Sequence, residues 1–229
     1  MKKKLFSSIV MAIVFTLLSN VFLVNAKAAS NTNTSQINPQ KFQQYVEVFG
    51  KHLAKNTDGT LYLKTAKIPS NIDKAYVREA INGINTTNRM IKSGYLVADK
   101  YGNITITNKY KNAVAKNNNL EVKTSGNTLT VQSKVTTLAG VNKVVWTWYG
   151  CQLYLNSTNA NKVAAGSFGA ASLALFIPDP LVCKIVAAAL GLVGAAVSYA
   201  NASGKGVIIK INISMIPVPH AVPFWFGSQ

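Results

Sequence analysis

Two cysteines and two histidines are the only side chains of their kind in 229 residues. Cys151 or Cys183 with His220 would supply the types that a thiol nucleophile and its base need, but no third, orienting group stands at a recognisable spacing. Acids are scarce: Asp58, Asp73, Asp99, Asp179, Glu47, Glu79 and Glu121 complete the set. Scattered this widely, they and His52 or His220 form neither a metal-ligand spacing nor a two-carboxylate pair. Gly166-Ser167-Phe168-Gly169 lacks the frame of a nucleophile elbow, and no glycine loop suited to phosphate is present. The sequence reads as a non-enzyme without cofactor or metal.

The opening segment points to export. Lys2, Lys3 and Lys4 precede an apolar run from Ile9 to Val24, and Ala26-Lys27-Ala28 offers small residues at a signal-peptidase spacing, so residues 1–28 read as a signal peptide. The alternative is a retained membrane anchor, against which the run is short and broken by Ser19 and Asn20. Cleavage would start the mature chain near Ala29, secreted and extracellular. In that compartment a Cys151–Cys183 disulfide is the default use of two cysteines, contributing about 3–4 kcal/mol in the chain-entropy model. The thiol nucleophile remains the rival reading.

Lys and Arg total 24 against 7 acids, a formal charge of +17. Losing Lys2, Lys3, Lys4 and Lys27 takes +17 to +13. Such a chain favours anionic membranes or cell-wall surfaces. Nucleic acid is not expected, because aromatics do not interleave with the lysines along the sequence. The bland alternative is coding bias, which would supply Lys and Asn together but accounts less well for the missing acids.

Periodicity predicts an α+β protein. In the basic region 29–143, Ser30 to Ile37 is a polar tract. A helix runs from Pro39 to about Lys55, with Phe42, Tyr45, Val46 and Leu53 at helical spacing. Leu61 to Leu63 is a short strand after the Asp58-Gly59 turn. Ile72, Tyr76, Ala80, Ile84 and Ile91 mark one face of a second helix whose other face carries Lys74, Arg78 and Arg89. Ile104 and Ile106 alternate as a strand, Asn108 to Asn119 is a loop or frayed helix, and Leu120/Val122 with Leu129/Val131 form a hairpin.

Region 144–229 differs in kind: from Trp146 onward only Lys162, Asp179, Lys184, Lys205 and Lys210 are charged. Val144 to Leu155 reads as a long strand or bulged strand pair kinked at Gly150. Two apolar helices follow, one from Asn156-Ser157-Thr158 through Phe176 and one from Asp179-Pro180 to about Ala200, then a strand over Val207 to Ser214 and a proline-rich tail. Each helix would be about 27–30 Å long, enough for a bilayer core. Gly166 with Ala170, and Gly191, Gly194 and Ala195, are the small residues for close helix contact. Phe176 and Asp179 would lie at the hairpin tip, where Asp179 would cost about 2.5–3.5 kcal/mol at the bilayer midplane. Trp146, Trp148, Tyr149 and Trp225 are candidate interface aromatics. An all-round apolar hairpin is equally compatible with a buried core.

The aromatic Tyr149-Gly150-Cys151 stretch within Trp146 to Leu155, the Asn156-Ser157-Thr158 helix start, the Ala/Gly-rich hairpin and Gly206-Val207-Ile208-Ile209 resemble the C-terminal module of secreted, bacteriocin-like proteins of Gram-positive bacteria. The likeness covers residues 146–229 and departs from the Tyr-Gly-Asn-Gly-Val box of pediocin-like peptides. It implies a cationic antimicrobial protein that adsorbs to anionic surfaces, inserts its hairpin, and is matched by a cognate immunity protein. The alternative is a non-lytic cell-envelope protein with the hairpin as its core.

Overall fold

The computed structural model describes residues 37–116, 121–132, 140–215 and 218–229. The expected signal peptide at 1–28, Leu120 and the start of the tail at Ile216 lie outside them.

Prolines, caps and alternation place the elements. Pro39 opens α1 (Pro39–Gly50) behind Asn38, whose side chain accepts from Lys41 N–H. The helix stops short of the expected Lys55, because Leu53–Lys55 is strand β1, paired with β2 (Leu61–Leu63). Asp73 caps α2 (Lys74–Lys92), which ends near the expected Ile91. β3 (Leu96–Ala98) and β4 (Ile104–Ile106) form a second small ribbon, and α3 covers Asn108–Lys116.

A six-stranded antiparallel sheet follows in the order β10-β9-β8-β7-β6-β5. Its strands are β5 (Glu121–Ser125), β6 (Thr128–Gln132), β7 (Asn142–Thr147), β8 (Gly150–Leu155), β9 (Val207–Ser214) and β10 (His220–Ser228). Of the two readings of Val144 to Leu155, a long strand or a strand pair, the structure has the pair: the hairpin β7–β8, turning at Trp148-Tyr149, with Gly150 at φ 140° where a side chain is disfavoured. The proline-rich tail supplies β10. The strand's one proline, Pro223, is tolerated because β10 is an edge strand bonded only to β9, and the register shifts between Pro223 and Trp225. Because β6 pairs with β7, the sheet crosses position 143/144 without a break, and Ile37–Gln229 form one unit. The change in composition at 144 is therefore not a change of folding unit.

Between β8 and β9 lie α4 (Ser157–Ala164), the single turn α5 (Ala170–Leu173), α6 (Pro180–Gly191) and α7 (Gly194–Ala200). The two long helices expected here are each broken. Gly166 at φ 69° ends the first, and the second bends by 78° between α6 and α7.

α1 meets the sheet through rings, and α2 through Thr87 and Gly83. Phe42 meets Phe224 edge-on at 5.2 Å, Tyr149 meets Phe224 at 5.4 Å, and Trp148 meets Phe49 at 6.4 Å. Thr87 donates its hydroxyl toward the carbonyls of Thr147 and Trp148. At Gly83 of α2 an added Cβ would stand 2.7 Å from both Tyr149 O and Asn212 Nδ2. A mid-helix Gly→Ala change ordinarily gains about 1 kcal/mol, whereas overpacking against backbone costs about 1–3 kcal/mol. Gly83→Ala is therefore expected to lower unfolding free energy in urea titration, against the helix-propensity trend.

Candidate functional site

The apolar segment that the sequence singles out is present as the bent pair α6–α7. No helix among the described residues is long and apolar enough to cross a membrane alone. Its geometry follows from a cap and a hinge. Asp179 accepts from the N–H groups of Leu181 and Val182, and Pro180 starts the helix with its fixed φ. α6 then turns Val182, Cys183, Ile185, Val186, Ala189 and Leu190 inward, where they are buried. Its outer side carries Leu181, Lys184, Ala188 and Gly191, all exposed. At the bend, Leu192 is 86% exposed, and Tyr199 on α7 is 87% exposed.

Asp179 is not at an exposed tip. It is buried, and its carboxylate meets the guanidinium of Arg89 on α2 at 3.0 Å, so the sequence-distant basic helix holds the start of α6. Arg89 itself is half-exposed, which makes this pair a positioning contact more than a large source of stability. Phe176 is buried just ahead of it, and its carbonyl accepts from the hydroxyl of Tyr110 at 2.6 Å.

The small residues divide unexpectedly. A Cβ at Gly166 or Gly191 would meet nothing within 4 Å, so neither glycine mediates helix packing. Ala170 is half-buried and Ala195 exposed. Gly194 alone makes the close approach, since its Cβ would lie 2.9 Å from the carbonyl oxygen of Ala164 on α4. The aromatics divide too: Trp146 is fully buried and Trp148 and Tyr149 nearly so, while Trp225 reaches the surface at 36% exposure.

Cys151 and Cys183 are unlinked, which corrects the expected disulfide. Cys183 donates its thiol to the Ile177 carbonyl at 3.2 Å, six residues back on its own chain. Cys151 faces the core from β8, where burial and then the neighbouring Cys183 push its thiol up to about 12. The thiolate needed for oxidation is suppressed there. His220 stands with Glu79, not with a thiol: its Nε2 lies 3.4 Å from the buried Glu79 Oε1. That is an ion-pair distance without good hydrogen-bond direction, and Oε1 has no hydrogen-bond partner. This pair was invisible in the sequence, where the two residues stand far apart in unrelated contexts.

Among the described residues no group of three His, Cys, Asp or Glu side chains is placed to hold a metal ion. No protein-family model, curated protein or solved structure matches the chain.

Two outcomes follow. Asp179→Ala removes the cap and the ion partner and is expected to cost about 1–2 kcal/mol, the range of a lost N-cap, while Asp179→Asn keeps a capping oxygen and costs less; urea titration measures both. The Glu79 contact raises the His220 value above its ordinary 6.5 against the opposing effect of burial. A raised folded value stabilises fully below the unfolded value and is lost as pH climbs through the folded one. Melting temperature is thus expected to fall as pH rises above 6.5, with that component absent from His220→Gln.

Proposed function

We propose that this is a secreted, cationic, membrane-active protein of the bacteriocin-like, antimicrobial kind, drawn to anionic bilayers by its charge and engaging them through α6 and α7. The observation that carries the reading is the outer surface of this helix pair. Between Ser157 and Gly204 the only charged side chains are Lys162, Asp179 and Lys184, and Asp179 is buried against Arg89. Leu192 projects at the bend and Tyr199 near the end of α7, and Lys184 is exposed on the outer side of α6. A protruding aliphatic, an amphipathic aromatic and a lysine on one apolar helix pair are the chemistry of a bilayer interface. The formal charge of +13 left when Lys2, Lys3, Lys4 and Lys27 are removed from the full chain's +17 supplies attraction that weakens as salt screens it.

Adsorption needs no change in the fold, whereas insertion requires α6 to leave the sheet. The Arg89–Asp179 contact and the buried inner side of α6 oppose that step. They favour a second reading, a non-lytic envelope protein that keeps the helix pair as core.

Vesicles of phosphatidylglycerol and of phosphatidylcholine separate the readings. Wild-type chain is expected to bind the anionic vesicles, to bind them several-fold less at physiological than at low salt, and to release an entrapped dye. Leu192→Ser/Tyr199→Ser should lose most binding while keeping its melting temperature. Arg89→Ala should release dye faster. Binding without dye release at any coverage would establish the second reading, and equal binding to both vesicle types would remove the role assigned to charge.

A further inference from the structure

The sheet has a second surface with different chemistry. Its register aligns Lys143, Tyr154, Ile208 and Gly227 in one cross-strand row, and Val145, Gln152, Lys210 and Trp225 in the next. On β7, β8 and β9 these residues are half-buried, while Val144, Trp146, Cys151, Leu153, Val207 and Ile209, alternating with them, are buried. Each row contains a ring joined to an ammonium. Lys143 Nζ lies 4.0 Å from the Tyr154 ring centroid, and Lys210 Nζ lies 4.9 Å from that of Trp225. Trp225 lies low across its own strand because residue 227 is glycine: a Cβ there would collide with the indole. β7 and β9 are two strand spacings apart, about 10 Å, so the two ammonium-bearing strands flank the amide of Gln152 on β8.

We propose that this face binds an anionic carbohydrate polymer. A pyranose offers an apolar C–H face to stack on a ring and hydroxyls for an amide or hydroxyl partner. Carboxylate or phosphate substituents on the same polymer meet Lys143 and Lys210. Thr130 stands beside Lys143 and Thr128 beside Val145 in the register, extending both rows with hydroxyls.

Two physical features choose this ligand over others. Trp225 lies across its strand over Gly227 and Tyr154 is half-buried, so these rings project less than Leu192 and Tyr199, which are almost fully exposed. The cations are sparse, since Lys123 on β5 is paired with Glu121 at 3.0 Å. Single-stranded nucleic acid also stacks on rings and pairs with lysines, but it brings a phosphate with every unit. A polyhydroxylated chain with anionic groups at intervals suits two ammoniums among amide and hydroxyl groups. The inference rests on the sheet alone and stands apart from the action assigned to α6 and α7.

Titration calorimetry of the full chain with oligogalacturonate, a phosphorylated mannan, a neutral β-glucan oligomer and oligo-dT tests it. At least one anionic glycan should bind tenfold or more tighter than the neutral glucan and oligo-dT. Trp225→Ala and Lys143→Gln/Lys210→Gln, with circular dichroism unchanged, should each weaken that binding at least tenfold. Gly227→Val should weaken it by lifting the indole. Trp225 is the exposed tryptophan, so bound glycan should protect wild-type emission from iodide. Leu192→Ser/Tyr199→Ser should bind glycan as wild type does, which separates this site from the bilayer surface. No binding of either anionic glycan, unchanged binding in both the tryptophan and lysine variants, or tighter binding of oligo-dT would overturn the proposal.

Discussion

One buried hydroxyl joins the parts of this protein that are most unlike in sequence. Tyr110, on the basic helix α3, donates to the Phe176 carbonyl at 2.6 Å and accepts from the indole N–H of Trp146 at 2.8 Å. The first partner precedes α6, and the second lies near the end of β7. Burial holds the phenol well above its ordinary value of 10, so it stays a neutral donor. Its loss would leave a carbonyl and an indole N–H without partners, at about 1–3 kcal/mol each for buried groups. The helical segment, the sheet and the N-terminal elements therefore share one polar anchor.

That anchor accounts for the two-sidedness of α6. A helix apolar all round can serve either as core or in lipid, and its composition does not choose. Here Tyr110 and Asp179 hold the segment at its start, so one side of α6 is committed to the sheet. The other side and the bend at Leu192 remain outward. The same contacts that complete the core thereby fix which apolar residues the protein presents.

Helix α2 was legible from Ile72, Tyr76, Ala80 and Ile84, and the β5–β6 hairpin from the alternation of Val122, Leu129 and Val131 around Gly126. The apolar segment after Asn156 was legible as helix, but not its breaks. Gly166 and the Leu192-Val193 bend have no strong local signature, and tertiary contact at Gly194 decides the second. Strand β10 was hidden by Pro219 just before it and Pro223 within it; local rules count proline against a strand, and the edge position accommodates Pro223. The disulfide expectation came from compartment and cysteine number; the direction of the Cys183 thiol is a property of the packed turn at Ile177. Lysines and aromatics do not interleave along the chain, yet the register sets Lys143 beside Tyr154 and Lys210 beside Trp225. Cross-strand neighbours of that kind cannot be read from spacing.

In topological terms, all four helices after β8 are the loop of a single β-hairpin. β8 and β9 pair directly, from Gly150 with Asn212 to Leu155 with Val207, and the chain between them leaves and returns at the same end of the sheet. Gly206, at φ 91° and packed against the Leu155 carbonyl, marks the point of return. The closure entropy of such a loop grows only slowly with its length, so its size is a weak constraint on the strands that bracket it. Strand order and register are consequently insulated from length changes in this insertion. What the insertion must keep is the part that packs, the inward side of α6 and the Phe176 carbonyl on Tyr110, whereas the exposed bend at Leu192 is under no such demand.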